Sequence, residues 1–148
     1  MPDSVGAVEV RPARDADEVE QALALRERVF VGEQGVDPAA DRDGLDGEAL
    51  QFVAVEDGRV VGTCRVLMRD GEARLGRMAV EPHARGRGLG ARLLEEAERA
   101  AREAGAARVR LHAQAAAVTL YARGGYARIG EPFVEEGIDH VTMERALA

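Results

Sequence analysis

The chain has no lysine, no tryptophan and one cysteine, and aromatic residues fill only 3% of its 148 positions. Each scarcity excludes something. Cys64 alone cannot form an internal disulfide, which fits a reducing compartment, and its setting in Val60-Val61-Gly62-Thr63-Cys64 reads as a buried, inert strand thiol. With so few rings, the core must be packed from Val, Leu, Ala and Met; 46% hydrophobic residues suffice for one compact domain over residues 1–148. No apolar run approaches the roughly 20 residues of a membrane-spanning helix, and the N-terminus lacks the basic-then-apolar order of an export signal. No membrane partner and a cytoplasmic location are therefore expected. Positive charge is also in deficit, with a net charge of -7, so the surface repels phosphate backbones and argues against nucleic acid as a partner. All 20 basic residues are Arg, for which coding bias is the plain account. Three His and one Cys show no ligand spacing, and Asp41, Asp43 and Asp46 lack the Gly and Glu positions of an EF-hand, so no metal is expected. That acidic loop reads as solvated, or as attractive to a cationic ligand.

What is present is ordered. Val8 to Arg11 suits a short strand. Asp15-Ala16-Asp17-Glu18 has the form of a capping box, with Val19, Ala22, Leu23, Val29 and Phe30 following at helical spacing. Gly32 to Gly47 reads as a loop with room for a short helix. Asp57-Gly58 and Asp70-Gly71 are hairpin signals that join β-rich runs from Gln51 to Val80 into a meander. A long helix is expected from Gly88 to Gly105, its apolar stripe formed by Leu89, Leu93, Leu94, Ala97, Ala100, Ala101 and Ala104, with Glu95–Arg99 and Glu98–Arg102 pairs on the wet side. A strand over Arg108–Ala113, a short helix over Ala115–Arg123 and a last strand over Ile138–Arg145 complete the order. The fold class is α/β in the mixed α+β sense.

One segment carries chemistry on its face. The strand Leu75 to Val80 runs into Arg85-Gly86-Arg87-Gly88-Leu89-Gly90 and then directly into the long helix. Helix N-termini present unsatisfied N–H groups and partial positive charge. Glycines without Cβ atoms let a phosphate approach those groups, and two arginines add charge against the trend of the whole chain. A plain Gly-rich connector would not need three alternating glycines. Gly86 to Ala91 formally fits the dinucleotide fingerprint G-x-G-x-x-A, but the next strand ends His112-Ala113-Gln114 with no carboxylate for a ribose. The Gly-Lys-Ser/Thr of a Walker A loop is absent.

With these residues in place the chain resembles the GNAT acetyltransferase superfamily. Met78-Ala79-Val80-Glu81-Pro82 followed by Arg85 to Gly90 is similar to that family's strand, turn and R/Q-x-x-G-x-G/A signature. Gln114-Ala115-Ala116-Ala117-Val118-Thr119-Leu120-Tyr121-Ala122-Arg123-Gly124-Gly125-Tyr126 resembles its N-x-x-A-I-x-L-Y-x-x-x-G-F motif. The two occur in the family's order and separation and cover Leu75 to Tyr126. Leu25 to Gln34 and Glu135 to His140 resemble the small ElaA-like branch.

The resemblance implies a central mixed, largely antiparallel sheet flanked by helices. It implies an acetyl-CoA-dependent N-acetyltransferase acting on a small amine or protein amine, without a metal. Backbone groups of Met78, Ala79 and Val80 would hold the acetyl-pantetheine arm and, near Ala79, the oxyanion. Arg85, Gly86, Arg87, Gly88, Leu89 and Gly90 would hold the pyrophosphate. Gln114 stands where the family has a cofactor-contacting Asn, and Tyr121 where it has the acid that protonates the leaving thiolate. Some members take their general base from a strand position that is Val109 here. Glu33, after the first helix, and His140, in the tail, are the candidates in its place, while His112 falls on the strand face opposite Val109 and Leu111. A non-catalytic acyl-CoA sensor is the alternative that keeps the same fold. The acceptor is not named by these motifs, and the oligomeric state stays open, a homodimer included.

Overall fold

The computed structural model describes residues 7–147. Residues 1–6 and 148 lie outside it. Within it, strands β1 (Val8–Pro12), β2 (Leu50–Glu56), β3 (Arg59–Arg69), β4 (Glu72–Val80), β5 (Arg108–Gln114), β6 (Ala127–Glu135) and β7 (Ile138–Ala146) form one sheet in the order β1-β2-β3-β4-β5-β7-β6. Every pairing is antiparallel except β4 with β5. The helices are α1 (Ala16–Arg26), α2 (Pro38–Asp41), α3 (Leu89–Glu103) and α4 (Val118–Arg123). This is the mixed, largely antiparallel sheet with flanking helices that the sequence implied.

The layers follow from alternation along the strands. Val53 and Val55 of β2 turn to one face, where they bury Ala22, Leu25 and Val29. Phe52 and Ala54 turn to the other, against Leu89, Leu93, Leu94, Ala97 and Ala101 of α3. β3 is thus covered on both faces and reads as a nearly unbroken apolar run. Burying each such Leu or Val contributes about 1.5–3 kcal/mol. α3 lies so close to β3 that a Cβ on Gly62 would meet Leu93 Cδ1 at 3.2 Å.

α1 begins as its sequence requires: the Asp15 carboxylate accepts from Glu18 N–H at 2.9 Å. The return bond comes one residue earlier than in a standard capping box, from Arg14 N–H to Glu18 at 2.8 Å. Arg11 also clamps Glu18, and these bonds lower the Glu18 pKa to about 2.

Three expectations are corrected. The first helix does not stop at Phe30 but widens into a π-helical turn over Glu27–Glu33, with Gln34 N–H reaching Val29 O. β6 was not anticipated, because Gly130 and Pro132 break its pattern; as an edge strand with a bulge it tolerates both. Glu98 does not face water: it is 5% exposed, accepts from Tyr126 Oη at 2.8 Å and pairs with Arg145, while Arg99 pairs with Glu96 rather than Glu95.

Two irregularities shape the centre. β4 and β5 are paired only from Glu72–Leu75 against Arg108–Leu111, and beyond Leu75 they separate. At the same point β4 bulges against β3, with Arg77 in the left-handed region at φ 52.

Candidate active site

The opening between β4 and β5 is a cleft with a mouth at each end of its contents. One mouth is made of backbone. After β4, a short turn at Pro82–Ala84 leads into the glycine loop, where Gly86 and Gly88 both have φ 77, a conformation in which a Cβ is costly. Gly88 caps α3 with no side-chain hydrogen bond, and the first turn holds no acidic residue, so the helix N-terminus keeps its donors and its positive end. Gly90 serves packing instead: a Cβ there would meet Leu120 Cδ2 of α4 at 3.2 Å. Between this loop, α3 and α4 lies a cavity of about 600 Å³ lined by Arg85, Gly86, Gly88, Leu89, Gly90 and Arg123, among others.

The loop arginines are paired. Arg85 forms a bidentate bridge to Glu33, both contacts at 2.8 Å, and donates through Nε to Val80 O at 2.9 Å. Arg87 pairs with Glu56 at 2.6 Å. The hydrogen bonds from Arg85 and Arg87 lower the pKa of Glu33 and Glu56 respectively.

Residues 33 and 34 span the cleft. Glu33 reaches Arg85 on the β4 side. Gln34 exchanges two amide hydrogen bonds with Gln114 at the end of β5, at 2.9 and 3.3 Å. The π-helical turn thus straps the separated strands. Beneath it the backbone of β4 is exposed to the cleft. Glu81 N–H bonds back to Val61 O of β3, so by alternation Ala79 also faces β3 and Val80 faces the opening. Of these two amides, that of Ala79 is turned to β3 and that of Val80 to the opening.

The other mouth is a cavity of about 240 Å³. Phe30, Val36, Leu75, Met78 and Ile138 give it apolar walls, and Gln114, Tyr121, Glu135, Glu136 and His140 add polar ones. Tyr121 and His140 thus meet in one chamber, and Glu33 does not line it. Tyr121 is 5% exposed and set edge-on to Tyr126. Burial raises its pKa, which keeps the phenol protonated, and among the described residues its hydroxyl has no protein partner. His140 Nδ1 lies 2.7 Å from Ile138 O; a carbonyl only accepts, so Nδ1 carries the hydrogen and Nε2 is the ring nitrogen left without a backbone partner.

The acidic loop is exposed at Asp43 but its three carboxylates are already paired with arginines. Arg26, fully buried, pairs with Asp46 at 2.6 Å and Asp41 at 3.2 Å. Arg65 pairs with Asp43 and Asp46. Arg77 donates to Ala40 O at 3.0 Å and pairs with Asp43 at 3.2 Å, so the strained bulge residue is braced by the loop it supports. Hydrogen bonds from Arg65 lead in lowering the Asp43 pKa. Burial opposes ionisation of Asp46, yet its bonds from Arg26 and Gln51 still leave its pKa lowered. Three arginines thus neutralise three aspartates and fix one wall of the chamber.

Arg123, Gln34, Arg77 and Glu135 were not singled out from the sequence. Arg123 carried a usable signal: it lies inside the second motif, on the short helix facing the glycine loop. The others meet their partners only through the fold. His112 lies exposed, on the strand face opposite buried Val109 and Leu111, and His83 sits in the turn before the loop. Among the described residues no group of three or more His, Cys, Asp or Glu could hold a metal ion, and no helix is long and apolar enough to cross a membrane. Buried Cys64 has its pKa raised to about 12 by burial and stays a thiol.

A mixed sheet that opens between two parallel strands, with an anion-receptive helix N-terminus at the opening, defines an acyltransferase scaffold of the GNAT kind. Residues 14–147 match the model of the acetyltransferase (GNAT) domain. The N-acetyltransferase YjcF of Bacillus subtilis is 34% identical over 132 residues, covering 88% of this chain and 94% of that protein. An acyl-CoA N-acyltransferase from Pseudomonas aeruginosa superposes with a TM-score of 0.84 at 33% identity, covering 95% of this chain and all of that one. ElaA of Escherichia coli superposes with a TM-score of 0.83 at 26% identity, over 94% and 99% of the two chains. The chain belongs to the GNAT acetyltransferase family.

Proposed function

We propose that this acetyltransferase moves the acetyl group of acetyl-CoA to a primary amine by direct attack in a ternary complex. The observation that carries the reading is the convergence of Tyr121 and His140 on one chamber beside the exposed backbone of β4. Met78, Ala79 and Val80 supply the strand along which the acetyl-pantetheine arm lies. Arg85, Gly86, Arg87, Gly88, Leu89 and Gly90 receive the pyrophosphate, and Gln114, held by Gln34, closes over the arm.

The amine enters as an ammonium ion and gives a proton to His140 Nε2. The freed lone pair attacks the thioester carbonyl, and the Val80 N–H stabilises the oxyanion; losing one such donor costs about 2.7–4 kcal/mol. Collapse expels the coenzyme thiolate, which Tyr121 protonates, and the second proton of the attacking nitrogen passes to the Tyr121 phenolate, leaving a neutral amide, a free thiol and the phenol restored. Glu33 is the weaker candidate for the base, because its pair with Arg85 lowers its pKa and it stands outside the chamber. The acceptor fits the chamber: a compact amine with an apolar body, or a protein amine that inserts one residue.

The test is calorimetric titration with acetyl-CoA together with thiol release across an amine panel. Saturable binding and thiol release with at least one amine are expected. Binding without release from any amine would favour the non-catalytic sensor.

A further inference from the structure

The net transfer of acetyl from a thioester to an ammonium ion releases one proton, and that proton must leave the chamber. His140 is 9% exposed, so its Nε2 has little direct contact with bulk water. Three observations supply an exit. Glu135 Oε1 lies 4.0 Å from His140 Nε2 and 3.6 Å from His112 Nδ1, so one carboxylate oxygen stands between the two rings. The Glu135 side chain is half exposed, free to swing by the fraction of an ångström that turns either separation into a hydrogen bond. Phe133 holds both rings in place, edge-on to His112 at 5.0 Å between centroids and stacked on His140 at 5.7 Å.

We propose that His140, Glu135 and His112 form a proton relay from the acceptor chamber to solvent. This rests on the acetyl-transfer reading above. The ammonium N–H bond breaks as the proton binds His140 Nε2. The Glu135 carboxylate takes it from the imidazolium at Oε1 and passes it to His112 Nδ1; His112 releases its Nε2 proton to buffer, and exchange of its ring protons with solvent restores the starting tautomer. The register favours this route. His140 faces Gln114 across β5 and Phe133 across β6, while His112 faces Thr142, so the path follows one line over the β5-β7-β6 end of the sheet. The other charged side chains lining the chamber are Asp41, Arg77 and Glu136. Asp41 and Arg77 are committed to the arginine–aspartate loop, and Glu136 sits in the β6–β7 turn at φ 53. Sequence alternation set His112 outside the catalytic face; the relay gives it work there because the proton's destination is solvent.

The experiment measures steady-state thiol release for the wild-type chain, His112→Ala and Glu135→Gln, with the best amine of the panel, in dilute and in concentrated buffer. His112 is exposed, and thermal unfolding checks that both variants fold. In dilute buffer kcat should fall roughly tenfold or more in each variant, less than the 10²-fold or more expected for loss of the base His140 itself. KM for acetyl-CoA should be unchanged. Concentrated imidazole should restore His112→Ala toward wild type, which a structural defect would not allow. Wild-type kcat in dilute buffer for both variants, or an equal loss at every buffer strength, overturns the relay while leaving acetyl transfer intact. Absence of turnover by the wild-type chain with every amine overturns both.

Discussion

The two mouths of the cleft are made by opposite means. At the mouth proposed for the pyrophosphate the available groups are main-chain amides, brought together within Arg85 to Gly90 by glycines that lack side chains. At the acceptor mouth the wall is held by charged side chains whose partners lie 15 to 37 residues away in sequence, as Arg26 with Asp41 and Arg77 with Ala40. A local backbone device depends little on its surroundings but admits no added Cβ. A distributed side-chain network admits changes at its rim but fails when a buried member is removed. In the function proposed above, holding coenzyme A falls to the first kind and acceptor choice to the second.

Perturbing each side separately sharpens this contrast. The largest effect is expected from Arg26→Ala, which removes the fully buried partner of Asp41 and Asp46 and leaves a void beside them, with Arg77 and Arg65 as their remaining cations. Breaking a buried pair in this way costs about 3–5 kcal/mol, read by denaturant unfolding, and coenzyme A affinity of the folded fraction should hold. A loss of coenzyme A binding in step with the wall would break the separation. Next comes Tyr121→Phe, expected to lower kcat by about 10²-fold or more with saturating acetyl-CoA, at unchanged stability. Gly88→Ala places a Cβ on a left-handed residue at a strain of roughly 1–2 kcal/mol. It should weaken acetyl-CoA binding in calorimetry and leave the acceptor KM unchanged.

The smallest effect is one of pH. Asp43 and Asp46 have folded pKa values below the ordinary 3.8, so their stabilisation is complete above that value and is lost as pH falls through the lowered one. Hydrogen exchange at decreasing pH should show residues 37–48 opening before α3. Simultaneous opening would mean that the two mouths are one cooperative unit.

The same contrast explains what the sequence disclosed. The glycine loop, the meander, α3 and the Tyr121 helix were legible because each is written in adjacent residues: turn dipeptides, helical spacing, two short motifs. β6 was hidden by Gly130 and Pro132, which only an edge position permits. The π-helical turn continues the spacing of α1 and is separated from it only by its hydrogen bonds. Asp41, Asp43 and Asp46 looked like a free acidic loop because their arginines come from α1, β3 and β4. Glu98 looked solvated because Tyr126 and Arg145, its partners, arrive from beyond β5. Of the two candidate bases, geometry separates them only because Arg85 holds Glu33 and the chamber contains His140.

The arginines that staple the acceptor wall have a further consequence. An enzyme that acetylates amines exposes its own amino side chains to the activated acyl group, and a lysine in such a bridge would lose its charge when modified. Here all 20 Lys or Arg positions are guanidinium groups, protonated at any working pH and poor acceptors of acetyl groups. The scaffold's positive charge is therefore chemically inert toward the amine acetylation proposed for the cleft, and the ion pairs that shape the chamber would survive it.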